Sequence, residues 1–216
     1  MSVNHLPIYV MLLTMALSLV LWLQVPRPRS TLFRWLGVLL FEAAVVELSA
    51  RLLLIAGRTN VLLYFVGSTV EFLLVLRIIQ AHRPAWRPWL LITAVLGLVP
   101  VLWAILYEDP HVFLPQKAIL TEALLVVIVL LATLWDLASR SEERLQRVPA
   151  FWLFLGLLIY FGGLVPVVAI IRYVFTGNPE LAVRFYMLIP VLTTLRYLLT
   201  AVACRLEALR LRGAHG

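Results

Sequence analysis

The residues of this sequence that could do chemistry stand where charge is costly. Glu47, Glu71 and Glu122 bring carboxylates, and Arg196 a guanidinium, into runs that are otherwise apolar. The stretch NVLLYFVGSTVEFLLVLRIIQ, from Asn60 to Gln80, has Glu71 near its middle. Carboxylates held close together share a proton and act as acid and base, whereas a carboxylate facing a guanidinium makes an ion pair. Thr193, Arg196, Tyr197 and Thr200 recur at intervals of three and four residues, which on a helix makes one polar stripe. Gly67 and Glu71 share another face, with Tyr64 a further turn along it. Arg51 follows Glu47 by one turn, the i,i+4 spacing of a same-face pair.

Other chemistries lack their groups. A retinal Schiff base needs a lysine in the last apolar run, but Arg196 stands there and the single lysine is Lys117. His5, His82, His111 and His215, with Asp109 and Asp136, lie near the ends of runs or between them, so neither a metal nor a haem has ligands inside one. No phosphate-binding glycine loop or nucleophile elbow occurs, and no cofactor is expected. A two-carboxylate hydrolase built from Glu47, Glu71 and Glu122 is the one enzymatic reading the residues permit.

The elements that must position these groups follow from composition. Of 216 residues, 63% are hydrophobic and 13% charged, against about a quarter charged in a soluble domain. The mean hydropathy is +1.00. These values describe an integral protein of the lipid bilayer. The net charge of +7 sits in short links between apolar runs, where it sets topology and meets lipid headgroups; nucleic acid is not an expected partner. Cys204 stands alone and is read as a small hydrophobe.

Crossing a hydrocarbon core takes roughly 20 apolar residues. Seven stretches qualify: 6–24, 32–55, 61–81, 89–106, 112–137, 151–174 and 181–208. The expected fold is all-α, a single domain over 1–216 forming a seven-transmembrane-helix bundle. Pro7, Pro88, Pro115, Pro149 and Pro179 fall at the starts of spans, where a missing N–H leaves no bond unmade. Pro100, Pro166 in YFGGLVP and Pro190 in LIP mark places where a span could bend. The short links leave no room for a separate soluble domain, and the N-terminal segment lacks a basic leader and a small-residue cleavage site, so a retained first helix is expected.

Lys and Arg distribute unevenly between alternate ends of the spans. One side collects Arg27, Arg29, Arg34, Arg83, Arg87, Arg140, Arg144, Arg147, Arg205, Arg210 and Arg212; the other has Arg58, Lys117, Arg172 and Arg184. The bias places the N-terminus outside, the C-terminus in the cytoplasm and the acidic loop Tyr107–His111 outside. Overlaying the chain on itself so that Leu36-Gly37 meets Leu155-Gly156 also pairs Leu76-Arg77 with Leu195-Arg196, and lays spans one to three on spans five to seven. This weak internal repeat would give a 3+1+3 plan.

In that topology Glu71 and Arg196 fall near the midplane, at comparable depth, and a Glu71–Arg196 pair is expected, either as part of a site or as a device that fixes helix register. Glu47 and Glu122 lie in the outer half. Glu42 and Arg77 lie toward the inner ends and are expected to snorkel. Glu47, Glu71, Glu122 and Arg196, with Tyr64, Thr193 and Tyr197, could together line a polar pocket reached from outside.

Two segments, NVLLYFVGSTVEFLLVL with Asn60, Tyr64, Glu71 and Phe72, and FWLFLGLLIYFGG with Phe151, Trp152, Gly156, Tyr160 and Phe161, resemble segments of small, uncharacterised seven-helix membrane proteins of bacteria of the Bacteroidetes type. The resemblance implies a seven-helix bundle in the bacterial inner membrane that acts with signalling proteins such as histidine kinases, and it carries over no catalytic residue.

Three functions are compatible with these features. The first is a receptor-like sensory module without enzymatic activity, whose outward pocket takes a small ligand or a proton and signals to a cytoplasmic or membrane partner. The second is a small 3+1+3 transporter of a small solute, against which stands the absence of mid-helix prolines in spans one and two. The third is a structural membrane subunit whose charges pair with a partner helix. Fold does not choose among them.

Overall fold

A computed structural model describes residues 6–108, 115–142 and 144–213. The described residues form helices and short connections only. In chain order the helices are α1 (Leu6–Leu23), α2 (Thr31–Ile55), α3 (Val61–His82), α4 (Arg87–Tyr107), α5 (Gln116–Arg140), α6 (Pro149–Gly177), α7 (Pro179–Tyr186) and α8 (Leu188–Gly213), with short 3-10 turns at Pro84–Trp86 and Leu145–Arg147. His5, Asp109, His111 and His215, and with them most of the acidic Tyr107–His111 loop, lie outside the described residues.

Six stretches of helix are long and apolar enough to cross a membrane: Leu6–Leu23, Val61–His82, Pro84–Tyr107, Gln116–Arg140, Pro149–Gly177 and Glu180–Gly213. The long helix missing from that set is α2. Its 25 residues are enough for a crossing, but Arg34, Glu42, Glu47 and Arg51 put a charge in nearly every turn and a half. Large apolar side chains stay exposed along the others, among them Leu13 and Leu17 on α1 and Val95, Leu102 and Leu106 on α4. Surfaces of this kind are what lipid tails cover.

Proline and capping chemistry set the boundaries. Pro149 and Pro179 open α6 and α7, Pro115 immediately precedes α5, and Pro88 occupies the first turn of α4. Ser30 caps α2 by accepting from the Phe33 N–H at 3.5 Å. Beyond the end of α1, Arg29 folds back on the free carbonyls, donating from Nε to Val25 O at 3.1 Å and from Nη2 to Leu23 O at 3.0 Å. Helices α4 and α6 run through Pro100 and Pro166 without interruption. The last expected span does not: it divides at Met187 into α7 and α8. Pro190 lies in the first turn of α8, where its ring would collide with the Tyr186 carbonyl of a continuous helix.

Contacts divide the chain into two compact units, Met1–Arg29 with Val127–Gly216, and Ser30–Val126. In the first, α8 packs against both α6 and α1. Gly156 makes the α6–α8 approach close, since a Cβ there would lie 3.0 Å from Leu199 Cβ and 3.2 Å from the Arg196 carbonyl. Leu153, Phe154, Leu157, Ala203 and Cys204 are buried around that seam.

In the second unit α3 packs on α2 and on α4. Gly97 receives the Phe72 ring so closely that a Cβ would stand 2.5 Å from Phe72 Cζ. Phe65, Val101, Ala104 and Ala118 join α3, α4 and the first turns of α5 in one buried cluster. Helix α5 contributes its first half to this unit and its second half to the other.

Candidate functional site

The seven residues expected to line a pocket fall in different units: Tyr64, Glu47, Glu71 and Glu122 belong to the second, and Thr193, Arg196 and Tyr197 to the first. Each group has its own surroundings.

In the second unit, the helical spacing read from sequence brings Arg51 Nη2 to 4.0 Å from Glu47 Oε2. The Tyr64 hydroxyl comes across from α3 to donate to Glu47 Oε1 at 3.5 Å. Gly67 lies against α2 one turn along: a Cβ there would meet Val46 at 3.1 Å and Glu42 Oε1 at 3.6 Å. Glu42 therefore turns its carboxyl toward α3 beside the glycine, where sequence reasoning had it snorkel away.

Glu122 is the most enclosed of the carboxyls, 2% exposed. It is carried on α5 one turn beyond Ala118, on the same face as the buried Phe65, Val101 and Ala104 cluster. Thr69, Ser68 and the half-buried Glu71 face it from α3. Its Oε1 is buried without a hydrogen-bond partner among the described residues. Ser68 and Thr69 are themselves donors to the Phe65 carbonyl, at 2.9 and 3.3 Å. Four carboxyls, Glu42, Glu47, Glu71 and Glu122, thus lie in this unit, and Arg51 stands in salt-bridge range of Glu47. No group of three or more His, Cys, Asp or Glu side chains suited to a metal ion occurs among the described residues.

A groove of about 460 Å³ opens between α4 and α5 next to this cluster. Its floor is Ala104 and Ala118, its walls include Val99, Pro100 and Trp103, and Glu108, Lys117 and Thr121 supply its polar groups.

In the first unit Arg196, Tyr197 and Thr200 of the polar stripe of α8 are buried, and Thr193 is partly exposed. Arg196 is 3% exposed, its guanidinium 4.8 Å from the centre of the Tyr160 ring and 5.6 Å from that of Tyr197, within the range of cation–π attraction. Ser18 Oγ on α1 donates to the Tyr197 carbonyl at 2.7 Å. The threonine hydroxyls turn inward on their own helix, Thr193 to the Ile189 carbonyl at 2.8 Å and Thr200 to that of Arg196 at 2.9 Å. That bonding satisfies them locally and removes them from the set most available to a ligand.

Sequence reasoning missed Ser68, Thr69 and the inward turn of Glu42. The available signal was the small-residue run Gly67-Ser68-Thr69, one turn before Glu71. No family model, no curated protein and no solved structure matches the chain.

Proposed function

We propose that the chain is a receptor-like sensory module of a bacterial inner membrane, not an enzyme, in which a proton or a small ligand at the carboxyl cluster of α2, α3 and α5 is signalled to a partner protein. Seven spans, with the N-terminus outside and the C-terminus in the cytoplasm, belong to this reading. The observation that carries it is Glu122, buried within a span with one oxygen unpartnered. An ionised carboxyl buried away from water is costly, so gain or loss of one proton changes how α5 sits on α3. Helix α5 is continuous from Gln116 to Arg140, and a shift at Glu122 is carried as a rigid-body tilt to its Asp136–Arg140 end, where a partner reads it.

The test is thermal unfolding of the purified protein from mildly acidic to mildly basic pH, beside Glu122→Gln. The wild type should lose more stability as pH rises than the glutamine variant, a permanent mimic of the neutral acid. Parallel curves for the two proteins would sink the proposal.

The α4–α5 groove favours a second reading, a small transporter, because it is large enough for a small solute and carries Lys117 and Glu108 of opposite charge. Uptake by proteoliposomes that is abolished by Lys117→Gln would move the assignment to transport.

A further inference from the structure

Further along α3 a smaller cleft, of about 130 Å³, lies between α3 and α4. Leu73, Leu76, Leu90 and Ala94 wall it, and Arg77, Gln80 and Arg87 form its polar rim. Arg77 Nη1 donates to Gln80 Oε1 at 2.8 Å, which steadies the guanidinium while occupying one donor of a fork that has five. Neither arginine makes an ion pair among the described residues, and the sole carboxylate of either helix is Glu71. Arg87 opens α4, whose first turn has no side-chain cap, so the positive end of the helix adds to the field. The exposed Trp89 lies in the same first turn of α4, and indoles favour a headgroup boundary.

Two positive charges therefore line an apolar cleft, and no carboxylate stands in salt-bridge range of either among the described residues. We propose that the cleft holds one phospholipid with an anionic headgroup, its phosphate between Arg77 and Arg87 and an acyl chain along the leucines. The proposal rests on α3 and α4 crossing the membrane, and is independent of what the carboxyl cluster does. A free phosphate would satisfy the arginines but would gain nothing from the leucine walls; a phospholipid matches both.

Native mass spectrometry of the full chain in mild detergent, with phosphatidylglycerol and phosphatidylcholine supplied equally, tests this. The wild type should retain one phosphatidylglycerol in preference to phosphatidylcholine. The Arg77→Gln/Arg87→Gln variant should lose that retention by roughly tenfold or more, whereas Arg210→Gln/Arg212→Gln, an equal change of charge on α8, should not. Leu91 is exposed and lines the same cleft; Leu91→Trp fills it with both charges kept, and should also reduce retention. This variant decides the matter if the double arginine variant does not fold. Equal retention of the two lipids, an equal loss in the α8 variant, or unchanged retention in Leu91→Trp would each overturn the proposal. So would displacement of the lipid by inorganic phosphate, which would assign the arginines to a free anion.

Discussion

At the scale of single residues, the two buried polar groups hold their positions by different means. Arg196 rests on aromatic faces, and cation–π attraction is worth about 2 kcal/mol or more where water is excluded. Tyr160→Phe keeps a ring under the guanidinium and should leave the melting temperature nearly unchanged. Tyr160→Leu should lower it by an amount corresponding to about 1–2 kcal/mol, read by thermal unfolding in detergent; equal effects of both changes would show that the tyrosine hydroxyl, not the ring, matters. How far these sites were legible follows from what spacing encodes. The Glu47–Arg51 pair and the buried face of α8 are set by the period of one helix, and both stand where the sequence places them. The company of Glu122 depends on how α5 is rotated against α3, and hydropathy carries no information on that angle. The run Gly67-Ser68-Thr69 was visible in the sequence, but that it faces Glu122 was not, for that reason.

At the scale of elements, the helix starts were legible because proline acts locally: it lacks an N–H wherever it stands, and the first turn is where that is harmless. The division of the last span at Met187 was less so. The same Pro190 could have kinked one helix, as Pro100 and Pro166 are accommodated within α4 and α6, and only the observed backbone separates the outcomes. Glycines differ in the same way. Gly97 and Gly162 look equivalent in sequence, yet a Cβ at Gly97 collides with Phe72 while one at Gly162 meets nothing within 4 Å. Gly97→Val should therefore destabilise by about 1–3 kcal/mol through overpacking of α4 on α3. Gly162→Ala should stabilise by roughly 0.5–1 kcal/mol, because it restricts the unfolded chain and costs no packing. Thermal unfolding of the two variants side by side reads both signs, and a loss of stability at Gly162 would mean that its face meets a partner.

At the scale of the whole molecule, one helix decides the topology. The seven-span reading places the ends of α2 on opposite sides of the membrane, yet α2 is the long helix that fails the apolarity expected of a crossing. Its charges divide in two ways. Glu42, Glu47 and Arg51 meet α3 or each other and are only partly exposed, and pairing within the protein is how intramembrane charges are tolerated. Arg34 lies in the first turns and can reach the surface. The exposed face of α2 carries Phe41, Val45, Leu48 and Leu52, a stripe that suits hydrocarbon. Composition alone penalises these carboxyls; their contacts within the protein lessen the penalty, and on that ground α2 is expected to cross. Cysteine scanning with an impermeant maleimide on intact cells tests it, since the one natural cysteine, Cys204, is fully buried and should stay silent. A cysteine replacing Gln24, before α2, should label only after the cells are opened, and one replacing Thr59, after it, should label from outside. Labelling of both positions from the same side would return α2 to the membrane surface, leave six crossings, and remove the outward placement of the carboxyl cluster on which the sensory reading depends.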